Sequence, residues 1–155
     1  MRRRLGIGEP LPLFILKDQN NQFFDLKDHI GKYNLIIYFY PKNETPGCIA
    51  EACSFRDAMG DFLEYDCKVI GISSDSPSSH LKFSQHYNLP FTLLSDSDQV
   101  VRKRFGVPSG LLGLLPGRST YVANKTGSVV MVFHHQWLAR KHVKIALEAL
   151  KISEP

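Results

Sequence analysis

The sequence predicts an α/β domain with a mixed central sheet, flanking helices and an N-terminal β-hairpin. Three observations carry this reading. Short β-branched and aromatic runs alternate with segments of helical period. The run Leu35-Ile36-Ile37-Tyr38-Phe39-Tyr40 has no polar face, as a strand covered on both sides requires. Two further pairs of apolar runs are joined by polar turns, which adds hairpins to the alternating pattern. With 155 residues, one domain over 1–155 is expected.

Each element follows in order. Residues 13–16 and 23–26 flank the polar stretch Lys17-Asp18-Gln19-Asn20-Asn21-Gln22 and form the first hairpin. The strand over 35–40 stops at Pro41, which has no N–H to give a sheet. Ala52, Phe55, Met59, Phe62 and Leu63 recur at helical spacing, predicting one helix over 46–64. Residues 69–73 form a second buried strand. Ser76-Pro77 supplies an N-cap and first helical residue for a helix to about 87. A strand over 91–94 and a short helix over 98–105 come next. Residues 111–115 read as a helical turn on the core, with a second role at the edge of a site. Strands over 119–123 and 129–133 flank Asn124-Lys125-Thr126-Gly127 as a second hairpin. Val143, Ala146, Leu147 and Leu150 mark a final amphipathic helix.

Composition excludes several classes. Hydrophobic residues make up 43% and charged residues 22%, too apolar for a disordered chain. The longest strongly apolar run is six residues, whereas a spanning helix needs about 20. The net charge of +4 and pI near 9.0 come partly from Arg2-Arg3-Arg4, read as a solvated terminus. No nucleic-acid or membrane partner is expected. Glu9, Pro10 and Pro12 interrupt any signal-peptide pattern, so a cytoplasmic location is expected. Three cysteines, with no C-x-x-C, argue against a disulfide framework, a zinc ribbon and a thioredoxin-type motif. Cys67 reads as an inert core thiol, and the six histidines as structural or surface residues without a metal pattern.

The chemistry gathers at Cys48. Thr45 suits an N-cap and Pro46 the first helical position, so Cys48 falls where a capping box would carry Glu or Gln. Free N–H groups and the positive dipole end favour an anion there. Bringing a free thiol from about 8.5 to about 6 takes roughly 3.4 kcal/mol. A helix terminus supplies about 0.3–1 kcal/mol, and about 2 at best. A second cation is therefore required.

Pro41-x-x-x-Thr45-x-x-Cys48, with Gly47-Cys48-x-x-Glu51-x-Cys53-x-Phe55-Arg56-Asp57, resembles the peroxiredoxins, and most nearly the bacterioferritin-comigratory or Q-type subfamily. Pro116-Gly117-Arg118-Ser119-Thr120-Tyr121-Val122 is similar to the family's second active-site region, and Asp75-Ser76-Pro77 and residues 90–96 also fit. The resemblance implies a thioredoxin-like fold and a thiol-dependent peroxidase for hydrogen peroxide and alkyl hydroperoxides. It implies Cys48 as peroxidatic nucleophile and Cys53 as resolving thiol of an intramolecular disulfide. It implies that Thr45 hydrogen-bonds the sulfur or the peroxide and that Arg118 is the required cation. Pro41 and Glu51 are expected at the substrate site, Pro41 shielding the sulfur and Glu51 orienting Arg118. Ile49 and Glu44 depart from many relatives without removing required chemistry. A thioredoxin-type reductant, a monomer, and no metal or other cofactor are expected. The alternatives are a general thiol–disulfide oxidoreductase and a non-enzymatic redox sensor.

Overall fold

The computed structural model describes residues 3–109, 117–136 and 138–153. The helical turn expected over 111–115 lies outside the described residues. Among the described residues one sheet contains β1 (Ile15–Asp18), β2 (Phe23–Asp25), β3 (Asn34–Phe39), β4 (Cys67–Ser73), β5 (Thr92–Ser95), β6 (Ser119–Ala123) and β7 (Val129–His134). Their order is β2-β1-β5-β4-β3-β6-β7. The pairs β3–β4 and β4–β5 are parallel, and the outer pairs are antiparallel. The helices are α1 (Pro46–Asp57), α2 (Met59–Glu64), α3 (Pro77–Tyr87), α4 (Val100–Phe105) and α5 (Ala139–Ser153).

The central strand β3 explains the two-layer cover. Successive side chains point to opposite faces. Ile36, Tyr38 and the following Tyr40 enter one core with Phe55 of α1, Phe62 of α2, Phe83 of α3 and Val143 of α5. Leu35, Ile37 and Phe39 enter the other with Leu11, Phe14 and, from α4, Val101 and Phe105. All six β3-run side chains are buried, each contributing about 1.5–3 kcal/mol of burial. The buried strands and the second hairpin stand where the apolar runs place them, but in the first hairpin β1 is shifted from 13–16 to Ile15–Asp18, so that Lys17 and Asp18 of the expected turn pair with β2 and β5, and Leu26 starts a 3-10 turn after β2.

A helix also differs from expectation. The single helix expected over 46–64 is two helices broken at Ala58 (φ −97°, ψ 3°). The Ala58 N–H is shared among the carbonyls of Ser54, Phe55 and Arg56. The break lets α2 start on a new axis, with Phe62 fully buried and Leu63 left exposed. Helical spacing alone does not distinguish one axis from two. The α3 cap follows the sequence: Ser76 Oγ accepts from the Ser79 N–H, and Asn88 ends the helix in the left-handed region.

The site lies at the carboxyl ends of the parallel strands. The chain leaves β3 through residues 40–45 into α1. Because β6 pairs antiparallel with β3 in the register Phe39↔Ser119, the residue entering β6, Arg118, arrives beside the residue leaving β3, Tyr40.

Candidate active site

Cys48 sits in the first turn of α1 and is 1% exposed. The Arg118 guanidinium reaches it across the sheet end, with Nη2 donating to Cys48 Sγ at 3.4 Å. Gly47 permits this approach, since a Cβ there would stand 3.0 Å from Arg118 Nη2. Thr45 occupies the N-cap position with extended backbone, but its side chain makes no cap bond. Its hydroxyl instead donates to the Lys42 carbonyl at 2.8 Å, closing the loop on itself. The first-turn N–H groups are therefore not taken up by Thr45 and remain directed toward an anion at the helix start. The Thr45 oxygen keeps its lone pairs for an incoming O–H donor. Pro41 is half-buried at the exit of β3.

Glu51 stands one turn after Cys48 on α1 and is fully buried. Its Oε1 accepts from Arg118 Nη1. No part of Glu51 faces solvent, and its carboxylate touches Arg118, the residue it is expected to orient. Burial is the main influence on its carboxyl and raises it to about 7, although Arg118 acts in the opposite direction. Arg118 loses stability as a cation through burial, but the charges of Glu51 and Cys48 outweigh this and hold its pKa above the ordinary value. Arg118 Nε donates to the Gln136 carbonyl at 3.1 Å, fixing the plane of the fork.

Cys53 is half-buried and shares the unbroken helix α1 with Cys48. Five residues on a helix separate Cα atoms by about 8.7 Å, beyond the roughly 4.4–6.8 Å a disulfide tolerates. The two thiols are free in this state. Cys67 lies at the start of β4, where burial pushes its thiol up to about 12. That agrees with an inert core thiol.

Sequence reasoning missed three groups that hold the site. Asn43 Nδ2 reaches His80 Nδ1 at 3.0 Å, and Asn43 Oδ1 accepts from the Tyr40 hydroxyl at 2.6 Å. Asp75 accepts from the Asn43 N–H at 2.9 Å, so the loop before Cys48 is tied to the start of α3. Arg102, 7% exposed on α4, donates to the carbonyls of Tyr40 (2.9 Å) and Gly117 (2.6 Å). It clamps the two backbone segments that carry Pro41 and Arg118. His142 on α5 faces Glu51 from the far side, Nδ1 to Oε2 at 3.7 Å. A polar residue amid an apolar helical stripe was the available signal for Arg102 and His142.

Among known proteins, the AhpC/TSA family matches residues 7–132. The chloroplastic peroxiredoxin Q of Populus jackii is 46% identical over 148 residues, covering 96% of this chain and 69% of that protein. That of Sedum lineare is 47% identical over 144 residues, covering 93% and 77%. Of solved structures, the peroxidoxin BcpB of Mycobacterium tuberculosis superposes with a TM-score of 0.90 at 32% identity, over 98% of this chain and 100% of that one. A bacterioferritin comigratory protein of Xanthomonas campestris, studied for alkyl peroxide reduction, gives 0.81 at 31% identity over 90% of each chain. The fold is thioredoxin-like, with the mixed sheet expected from the sequence.

Proposed function

This chain belongs to the AhpC/TSA family, and from that premise we propose how its site works as a thiol-dependent peroxidase. The observation that carries the reading is the 3.4 Å contact between Arg118 and the buried Cys48 sulfur at a helix start. That contact puts a cation beside the sulfur, as expected from the sequence. Cys48 thiolate attacks a peroxide oxygen, the S–O bond forms as the O–O bond breaks, and Cys48 becomes a sulfenic acid. The leaving oxygen departs as water or alcohol after taking a proton. Arg118 stabilises charge on the attacking sulfur and on the peroxide oxygens, the larger share of such an effect falling in the transition state. Thr45 Oγ1, whose own proton is held by Lys42 O, accepts the peroxide O–H.

Cys53 then condenses with the sulfenic acid, releasing water and forming the Cys48–Cys53 disulfide within one chain. Since α1 holds the two too far apart, its first turns must unwind for the bond to close. A thioredoxin-type dithiol reduces the disulfide, and the monomer suffices because both thiols are in the same helix. The test is peroxide consumption by the purified protein with thioredoxin and its reductase. Sustained turnover is expected. Stoichiometric oxidation without turnover would favour a redox sensor, and disulfide turnover without peroxide a general oxidoreductase.

A further inference from the structure

Behind Cys48 the protein buries one cation against two groups able to be anions. Arg118 gives Nη2 to Cys48 Sγ and Nη1 to Glu51 Oε1. The next buried cation, Arg102, gives its guanidinium to the Gly117 and Tyr40 carbonyls, with the Asp96 carboxylate close enough to favour its charge and bonded to the Arg102 backbone N–H at 2.9 Å. The second carboxylate oxygen, Glu51 Oε2, is buried with no hydrogen-bond partner among the described residues. A buried carboxylate oxygen without a donor is costly, and protonation lowers that cost by removing the charge.

The neighbour that could supply a donor does not. His142 Nε2 lies 2.9 Å from the His135 carbonyl, which can only accept, so Nε2 carries the proton. His142 Nδ1 then accepts from the Thr120 hydroxyl at 2.7 Å. Nδ1 therefore has no proton to give Glu51 Oε2, which stands 3.7 Å away. Burial also holds His142 down at about 4, against the ordinary imidazole value. The remaining titratable groups around Glu51 are the hydroxyls of Tyr38 and Tyr40 on the β3 side, both pushed up by burial and so neutral. His134 and His135 act on His142 as further imidazoles and add no anion.

We infer that Cys48 and Glu51 hold one proton between them, so that when Cys48 is the thiolate its proton rests on Glu51 Oε2. The exchange is balanced: thiol plus carboxylate becomes thiolate plus carboxylic acid, and the buried cluster keeps the same net charge. Arg118 then serves a single anion, the sulfur. On attack, the sulfur gives its electron pair to the peroxide oxygen and becomes neutral sulfenic acid. With that negative charge gone, Arg118 again favours ionised Glu51. The carboxyl gives up one proton, which matches the proton the leaving hydroxide or alkoxide takes. This deepens the peroxidase reading and rests on it.

Infrared spectroscopy of the carboxylic-acid C=O stretch, in H2O and D2O, tests the inference without a substrate. The reduced protein at neutral pH should show a buried, protonated carboxyl that Glu51→Gln removes. The same band should be lost in Cys48→Ser and when peroxide oxidises Cys53→Ser, which stops at the sulfenic acid and keeps α1 wound. Without Cys53 no disulfide forms, so loss of the band there cannot come from unwinding of residues 48–53, and circular dichroism of each variant checks that it folds. A reduced protein without the band, or a band unchanged by oxidation, overturns the inference. Failure to consume peroxide overturns the peroxidase reading instead, because the reduced-state band is recorded without peroxide.

Discussion

Closing the Cys48–Cys53 disulfide should dissolve the start of α1 and leave the rest of the fold in place. The first bond of the helix, Ile49 N–H to Thr45 O at 2.8 Å, and those that follow through Cys53 must open. That is roughly five bonds at about 0.5–1.5 kcal/mol net, or roughly 2.5–7.5 kcal/mol. No side-chain cap is lost, since Thr45 makes none. The unwinding should stop at Phe55, which is fully buried and stacks on Tyr38 at 4.5 Å. Every 1.4 kcal/mol is a factor of ten, so amide exchange over residues 48–53 should quicken by roughly 10²–10⁵ on oxidation. The assay is hydrogen exchange by mass spectrometry or NMR on the reduced and peroxide-treated protein, with α5 as the internal reference. Equal protection of residues 48–53 in both states would refute the reasoning and assign resolution to a thiol other than Cys53.

Cys48→Ser should retain less than a tenth of peroxide turnover, on the order of 1.4 kcal/mol or more of barrier, with an unchanged circular dichroism spectrum. Arg118→Met should slow the peroxide step by on the order of 10²–10³, read by stopped-flow, because the lost donor acts on developing charge. Gly71→Ala should destabilise the fold by about 1–3 kcal/mol in chemical denaturation, since its Cβ would meet Tyr38 Cζ at 2.8 Å and Leu93 Cδ2 at 2.9 Å. Burial holds His142 at about 4 in the folded chain against 6.5 unfolded, so the unfolded chain binds more protons between these values and stability falls on acidification through that window. Glu51, raised by burial from 4.5 to about 7, acts oppositely and favours the folded state at the acid end. Thermal melts should therefore show the melting temperature falling more steeply with acid in Glu51→Gln than in the parent protein.

The sequence by itself determined the sheet and the nucleophile, because both are written in local terms. A six-residue run without a polar face reads as a strand covered on both sides, and residues 35–40 are all buried. Cys48 is three residues past a Thr-Pro helix start, so its place at the dipole end follows from chain geometry alone. Local chain geometry could not place what surrounds that sulfur, although the family resemblance named Arg118 and Glu51. Arg118 is 70 residues away, and only the antiparallel β3–β6 register brings it to 3.4 Å. The same is true of Arg102, which clamps Tyr40 from 62 residues away, and of His142, whose partner Thr120 lies 22 residues before it. The break at Ala58 was likewise invisible, since apolar spacing continues across a change of helix axis. Periodicity records which face a residue presents. Which distant groups meet on that face is fixed by strand pairing and by burial, which makes each enclosed charge find a partner or give up its proton.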